Sequence, residues 1–288
     1  MNPTLTHAMA TGAPQAIAIA RPIRLMLRAR PFSGHVAGRF EHACNLLDDE
    51  GRVIALTLPE VGNGPFSIVL DGDAGLFAQL QPGQPAGVDA GQIVLGATRI
   101  PLAAARVWDP RLPGGPRLGR LPPAIAAILL PYADWPRPAL DTPLAIHTAR
   151  LLAQGAGALL DAIERTGAGA EAAGQLAGLG HGLTPAGDDY LLGVMAGLWL
   201  LGERDGLPAI ARAAAARTTA LSGAFLAAAG RGQFAEPWHA LARALARQDE
   251  ERCREAVRRI AEFGATSGRD ALAGFTAIVA RRIKVRGE

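Results

Sequence analysis

The chain has little of what most readily betrays a function. Its two cysteines among 288 residues, Cys44 and Cys253, lie far apart with no Cys-x-x-Cys partner, which argues against a disulfide framework and a structural zinc site. No apolar run reaches the ~18 residues of a membrane span, so no membrane is expected as a partner. Aromatic residues make up 5% and the net charge is only +3, leaving nucleic acid little to stack on despite a pI of about 9.4. There is no G-x-x-x-x-G-K-[ST] phosphate loop, no H-E-x-x-H and no G-x-S-x-G, and Gly178-x-Gly180-x-Gly182 does not complete G-x-G-x-x-G. Acidic residues are missing before Glu41, while Arg21, Arg24, Arg28 and Arg30 precede it. That resembles a transit segment, but residues 23–29 read better as a first strand, and a cytoplasmic protein is expected.

What is present is a globular composition, 49% hydrophobic and 19% charged, in a chain long enough for two domains. Residues 1–20 read as a flexible tail. From 21 to 110, short strand-like runs alternate with turn residues: 23–27, 35–40, 43–47, 53–58, 66–70, 92–95 and 106–108. Eight prolines between Pro110 and Pro138 make 111–140 a connector, interrupted by a short helix at 124–130. From 141 to 288 the chain reads as helices at 144–164, 185–201, 207–229, 237–248, 249–263 and 268–284. The expected fold class is α+β: an N-terminal antiparallel β-rich domain followed by a C-terminal helical bundle.

The stretch that organises the second half runs from Gly178 to Gly202. It opens as a glycine-rich loop, and Thr184-Pro185 then reads as a helix start, with threonine as cap and proline in the first turn. From Ala172 to Gly202 the only fully charged residues are Asp188 and Asp189, followed by a run that is apolar all round. A second stretch, Gly264-Ala-Thr266-Ser267-Gly268-Arg269-Asp270-Ala-Leu272-Ala-Gly274, echoes the first. Both pass from Gly-x-Thr through a turn of small residues to Asp-x-Leu-x-Gly, ending in Asp189-Leu191-Gly193 and Asp270-Leu272-Gly274. The plainer reading is that acids in first turns complement the helix dipole and that Ser267 and Asp270 form a capping box. The sharper one is a shared site, because a glycine loop at a helix N-terminus is suited to an anion.

The second reading gives each residue a part. Gly180, Gly182, Gly187 and Gly268 bring backbone N–H groups to a ligand, Thr184, Thr266 and Ser267 supply hydroxyls, and Arg269 suits a carboxylate or phosphate. Asp188, Asp189 and His181 are the candidate catalytic groups, and Asp270 joins the binding set. Carboxylates repel anions, so they serve either a cation such as Mg²⁺ or the NH₂ of an amide or carbamoyl group. A ligand with an anionic end and an NH₂ end uses both kinds of group. Thr218 and Ser222, one helical turn apart, read as lining for a polar pocket or as hydroxyls bonded back to their own helix.

Gly178-Leu-Gly-x-Gly-Leu-Thr-Pro-x-Gly-Asp-Asp189 followed by Gly264-Ala-Thr-Ser-Gly-x-Asp270 resembles a bacterial family of largely uncharacterised proteins that includes the AllH-type subunit of oxamate carbamoyltransferase. The resemblance extends through Asn45 and the Gly62-Asn-Gly-Pro65 turn, so it spans most of the chain. It departs from the family at His181, where proline is usual, and at Ala186, where serine is frequent. It implies carbamoyl transfer in anaerobic allantoin degradation, a branch of purine catabolism: oxalurate and phosphate exchanging with oxamate and carbamoyl phosphate. It also implies sister subunits in a hetero-oligomer. The alternative is a regulatory or assembly subunit that binds a small molecule without chemistry. The S-T-R-T and H-P-x-Q motifs of ordinary carbamoyltransferases are absent.

Overall fold

The structure, a computed structural model, describes residues 14–73, 75–89, 91–113, 121–136, 141–167 and 169–283. The chain divides into two compact units at Asp109/Pro110.

Among the described residues, the first unit forms a nine-stranded sheet with helical insertions. In chain order it runs β1 (Gln15–Ala20), α1 (Arg21–Ala29), β2 (Phe32–Arg39), β3 (Ala43–Leu47), β4 (Val53–Thr57), β5 (Ser67–Asp71), the single turn α2 (Gly75–Ala78), β6 (Pro85–Asp89), β7 (Gln92–Leu95), β8 (Thr98–Pro101) and β9 (Arg106–Trp108). The spatial order is β8-β7-β6-β2-β3-β4-β5-β1-β9. Most pairs are antiparallel, as with β3 on β4 from Ala43↔Thr57 to Leu47↔Val53, whereas β4–β5 and β1–β9 are parallel. β8 reaches β1, so the sheet curls into a half-barrel. Its interior is apolar: Ile19, Val36, Leu46, Ile54, Leu56, Ile68, Leu70 and Phe77 are all fully buried. Cys44 is buried there as a free thiol, its pKa pushed up to about 12 by burial.

Two expectations for this unit fail. Residues 15–20 are not tail but β1, which pairs with both β5 and β9; the tail reading for residues 1–13 lies outside the described residues. Residues 23–29 form not a strand but the helix α1. Pro22 stands in its first turn, Ile23 is its buried side chain, Arg21 and Arg28 are exposed, and Arg24 is half-buried with its guanidinium donating to the Ala105 carbonyl at 3.0 Å. A short apolar run does not distinguish strand from helix by itself.

The second unit is helical: α3 (Pro123–Leu129) with a 3-10 turn at Leu130–Tyr132, α4 (Pro143–Thr166), α5 (Ala170–Leu176), α6 (Ala186–Leu201), α7 (Leu207–Ala215), α8 (Ala220–Ala229), α9 (Glu236–Arg247), α10 (Glu250–Ala261) and α11 (Ser267–Arg282). Thr142 caps α4, its hydroxyl accepting from the Ala145 N–H at 3.3 Å, and Gly167 ends it in the left-handed conformation. The helix expected over 207–229 is interrupted, because the Thr219 hydroxyl accepts the Ser222 N–H and starts α8 afresh. The proline-dense stretch is more than a connector. Leu112, Leu121, Ile125 and Leu129 are buried in the same apolar core as α6 and α11. Here the prolines open a helix rather than prevent one, since Pro123 stands in the first turn of α3, where a missing N–H costs nothing.

Candidate functional site

The core of the second unit is the pair α6 and α11, which pack along each other with almost no separation. A Cβ on Gly193 would lie 1.7 Å from the Ala271 carbonyl oxygen, and one on Gly274 would lie 2.0 Å from that of Tyr190. The contacts are reciprocal. Each glycine stands four residues after its own aspartate and meets the residue that follows the other aspartate. The Asp-x-Leu-x-Gly echo is therefore a local two-fold in space, with parallel helices that start at the same end. Only glycine permits backbones this close, which explains both its presence in mid-helix and its tolerated cost of ~1 kcal/mol.

The two loops consequently meet. The Thr184 and Ser267 hydroxyls are 3.0 Å apart. Neither loop is capped as expected: Pro185 precedes α6 and Thr266 precedes α11, and no side chain accepts a capping bond at either start. The threonine and serine hydroxyls bond each other across the loops instead. Between Gly178 and Gly182 the backbone enters the positive-φ region at every second residue, with φ of 77°, 117° and 96° at Gly178, Gly180 and Gly182. Among the described residues, the backbone N–H groups of 180–184 meet no acceptor. Gly187 and Gly268 are closely packed, as a Cβ on them would strike the carbonyl oxygens of Leu176 at 2.2 Å and Ile260 at 1.7 Å, and their N–H groups donate to the Leu179 and Phe263 carbonyls at 2.9 Å.

The adjacent aspartates have different surroundings. Asp188 is 1% exposed, and both its oxygens accept hydrogen bonds within the chain. One oxygen accepts the Gly178 N–H at 2.9 Å; the other accepts the Ser222 hydroxyl at 2.7 Å and the Thr218 hydroxyl. Thr219 adds a bond of 2.7 Å to the Leu183 carbonyl. Asp188 thus latches the glycine loop to α8, an anchoring role that the sequence did not anticipate. Thr218 and Ser222 prove to be its partners rather than a pocket lining.

Asp189 is the member with an unpartnered oxygen. It is 8% exposed, and its Oδ2 is buried without a hydrogen-bond partner. Burial pushes its carboxyl up to about 8; the nearby charges of Asp270 and Asp188 act in the same direction, and the hydroxyls of Ser267 and Thr184 act against it. Asp270, 9% exposed, repeats the arrangement: Oδ1 accepts the Trp135 indole N–H at 2.6 Å and Oδ2 is buried without a partner. Burial raises its pKa too, opposed by the bonds from Trp135 and Thr266 and by the Arg269 charge. Arg269 is exposed, with its guanidinium 5.9 Å from the centroid of the Tyr132 ring. His181 stands exposed at the loop tip, whereas the carboxyls are buried. No three His, Cys, Asp or Glu side chains gather as a metal-ligand set among the described residues.

Trp135 and Tyr190 escaped the sequence reading. Their rings stack at 4.3 Å, and Tyr190 directly follows Asp189. The one faint signal was Tyr132-x-x-Trp135, two aromatics in an aromatic-poor chain.

An antiparallel-rich half-barrel followed by a helical unit built on two parallel, glycine-crossed helices defines the class of chain. Two family models match it. The one described as oxamate carbamoyltransferase subunit AllH takes in residues 176–279, which include both loops, all of α6 and most of α11. The AllH family N-terminal domain takes in residues 15–107, the sheet. Together they cover well over half of the sequence, and the chain belongs to the AllH family. No curated protein and no solved structure matches it.

Proposed function

We propose that this chain is a subunit of an oxamate carbamoyltransferase-type enzyme and that the paired helix starts bind its carbamoyl-bearing substrate. The observation that carries this reading is the pair of free, buried carboxyl oxygens on Asp189 and Asp270, set at helix N-termini that meet. A helix start and a loop of unpaired N–H groups favour the anionic end of a substrate such as phosphate or oxamate. A buried carboxyl oxygen without a partner favours an NH₂ group. With its pKa near 8, Asp189 is mostly neutral at pH 7, which removes the repulsion that two carboxylates would otherwise set against an anion.

The same proton serves the chemistry. When phosphate oxygen attacks the carbamoyl carbon of oxalurate, the bond from that carbon to the oxamate nitrogen breaks and the departing nitrogen needs a proton. A neutral Asp189 supplies it as general acid. In reverse, the Asp189 carboxylate takes a proton from the oxamate NH₂ as its nitrogen attacks carbamoyl phosphate. Asp270 orients the NH₂ group and Arg269 draws the anion to the mouth. His181 is given no step. Sister subunits are supported by the family description, which names a subunit; allantoin degradation in the cytoplasm is the setting that goes with this reading. No described helix is long and apolar enough to cross a membrane.

The test is a thermal-shift panel of phosphate, carbamoyl phosphate, oxamate, oxalurate and Mg²⁺ on the wild type and Asp270→Asn. Stabilisation by oxamate or oxalurate that fades in the variant supports the reading. If no carbamoyl compound stabilises the wild type at millimolar concentration, the reading fails. Binding that persists with no turnover beside the sister subunits identifies a ligand-binding subunit instead.

A further inference from the structure

We infer that Trp135 is a positioning residue for the paired-carboxyl site, holding Asp270 of α11 by its indole N–H while its ring rests on Tyr190 at the start of α6. Its importance for catalysis rests on the function proposed above; its geometry does not. The indole N–H donates to Asp270 Oδ1 at 2.6 Å, leaving Oδ2 as the one oxygen of that carboxyl free to meet a ligand. The ring lies 4.3 Å from that of Tyr190, inclined by 24°. One side chain from outside both helices therefore touches the two homologous starts, and touches them differently.

That difference breaks the local two-fold. Burial raises the Asp270 pKa, but the indole N–H donor, the Thr266 hydroxyl and the Arg269 guanidinium act against that rise, while the Asp189 carboxyl faces it. Asp189 has hydroxyls only, from Ser267 and Thr184, and is faced by Asp270 and Asp188. Asp270 alone of the two carries an N–H donor on its carboxyl, so we assign the acceptor role to Asp270 and the proton to Asp189. Pairs of carboxyls whose surroundings differ in this way divide into acid and acceptor. Trp135 acts through Asp270 and does not itself react.

The test needs no substrate. In the free protein, the Trp135 indole ¹H–¹⁵N resonance should move with pH at the midpoint of the Asp270 carboxyl, followed by ¹³C, and Asp270→Asn should abolish that movement. Trp135→Phe keeps a ring for Tyr190 but removes the N–H; the Asp270 midpoint should rise by roughly one pH unit, a tenfold change in proton affinity. An indole resonance that does not respond to pH between 4 and 9 would overturn the inference, as would an unchanged Asp270 midpoint in a folded Trp135→Phe protein. Should that variant not fold, the comparison of wild type with Asp270→Asn decides alone. Failure here leaves ligand stabilisation in the thermal-shift panel untouched, and failure of that panel leaves the indole–carboxyl coupling in place.

Discussion

Replacing Asp189 with asparagine should make the protein more stable at neutral pH while costing it its ligand. The carboxyl is held up to about 8 in the folded chain against an ordinary value of 3.8. Between those values the folded state keeps a proton that the unfolded state has released. Stability therefore falls as pH rises from about 4 to about 8 and levels off above that. At pH 7 the gap from the ordinary value is about three units, and at about 1.4 kcal/mol per unit the cost is about 4 kcal/mol, or roughly half that if the site relaxes and admits water. Asparagine resembles the neutral acid in shape and releases no proton, and its NH₂ can donate to the free Oδ2 of Asp270. Asp189→Asn should thus exceed the wild type by roughly 2–4 kcal/mol at pH 7, with little difference near pH 4. The assay is urea unfolding at pH 4, 5.5, 7 and 8.5, followed by tryptophan fluorescence. Three of the four tryptophans, Trp135, Trp199 and Trp238, belong to the helical unit, so the signal reports chiefly on it. Equal stability at every pH, or the same slope with pH in both proteins, would refute the argument that Asp189 is kept neutral at a cost in stability.

Gly193→Ala should cost about 3 kcal/mol or more, because its methyl would meet the Ala271 carbonyl at 1.7 Å and must force α6 from α11; a circular dichroism melt of the variant checks it. Asp188→Ala leaves the Gly178 N–H and the Ser222 and Thr218 hydroxyls unpaired, for a loss of about 3 kcal/mol, and hydrogen exchange of loop 178–184 should quicken. Thr184→Val removes the bond to Ser267 but no helix cap, so the melt should move by the equivalent of ~1 kcal/mol or less while the Asp189 midpoint in a ¹³C titration rises.

Where local chemistry decides the structure, the sequence was readable. β3, β7 and β9 fall on the expected residues, the first two because polar and glycine turns bracket their apolar runs. β6 and β8 were missed, as Pro85 and Pro101 lie at their ends and Gly87 weakens the first; both take their place from neighbours in the sheet. α1 was misread because an apolar run of that length suits strand and helix equally, and packing of Ile23 decided it. The two aspartate loops were legible as a pair, since the echo between them is an echo in space. Which aspartate is free was not. Asp188 and Asp189 are adjacent in one helical turn, and only the hydroxyls of Thr218 and Ser222, some thirty residues on, show which one is occupied. Trp135 had only the faint signal of a nearby aromatic, because its role comes from distant contacts with Asp270 and Tyr190.

The most direct test of the proposed site is a crystal structure of the protein grown with oxamate and phosphate. The expected result is the oxamate NH₂ within hydrogen-bond distance of the free oxygens of Asp189 and Asp270, with an anionic group on the unpaired N–H groups of 180–184. Oxamate bound elsewhere on the chain, with both carboxyl oxygens still unpartnered, would contradict it.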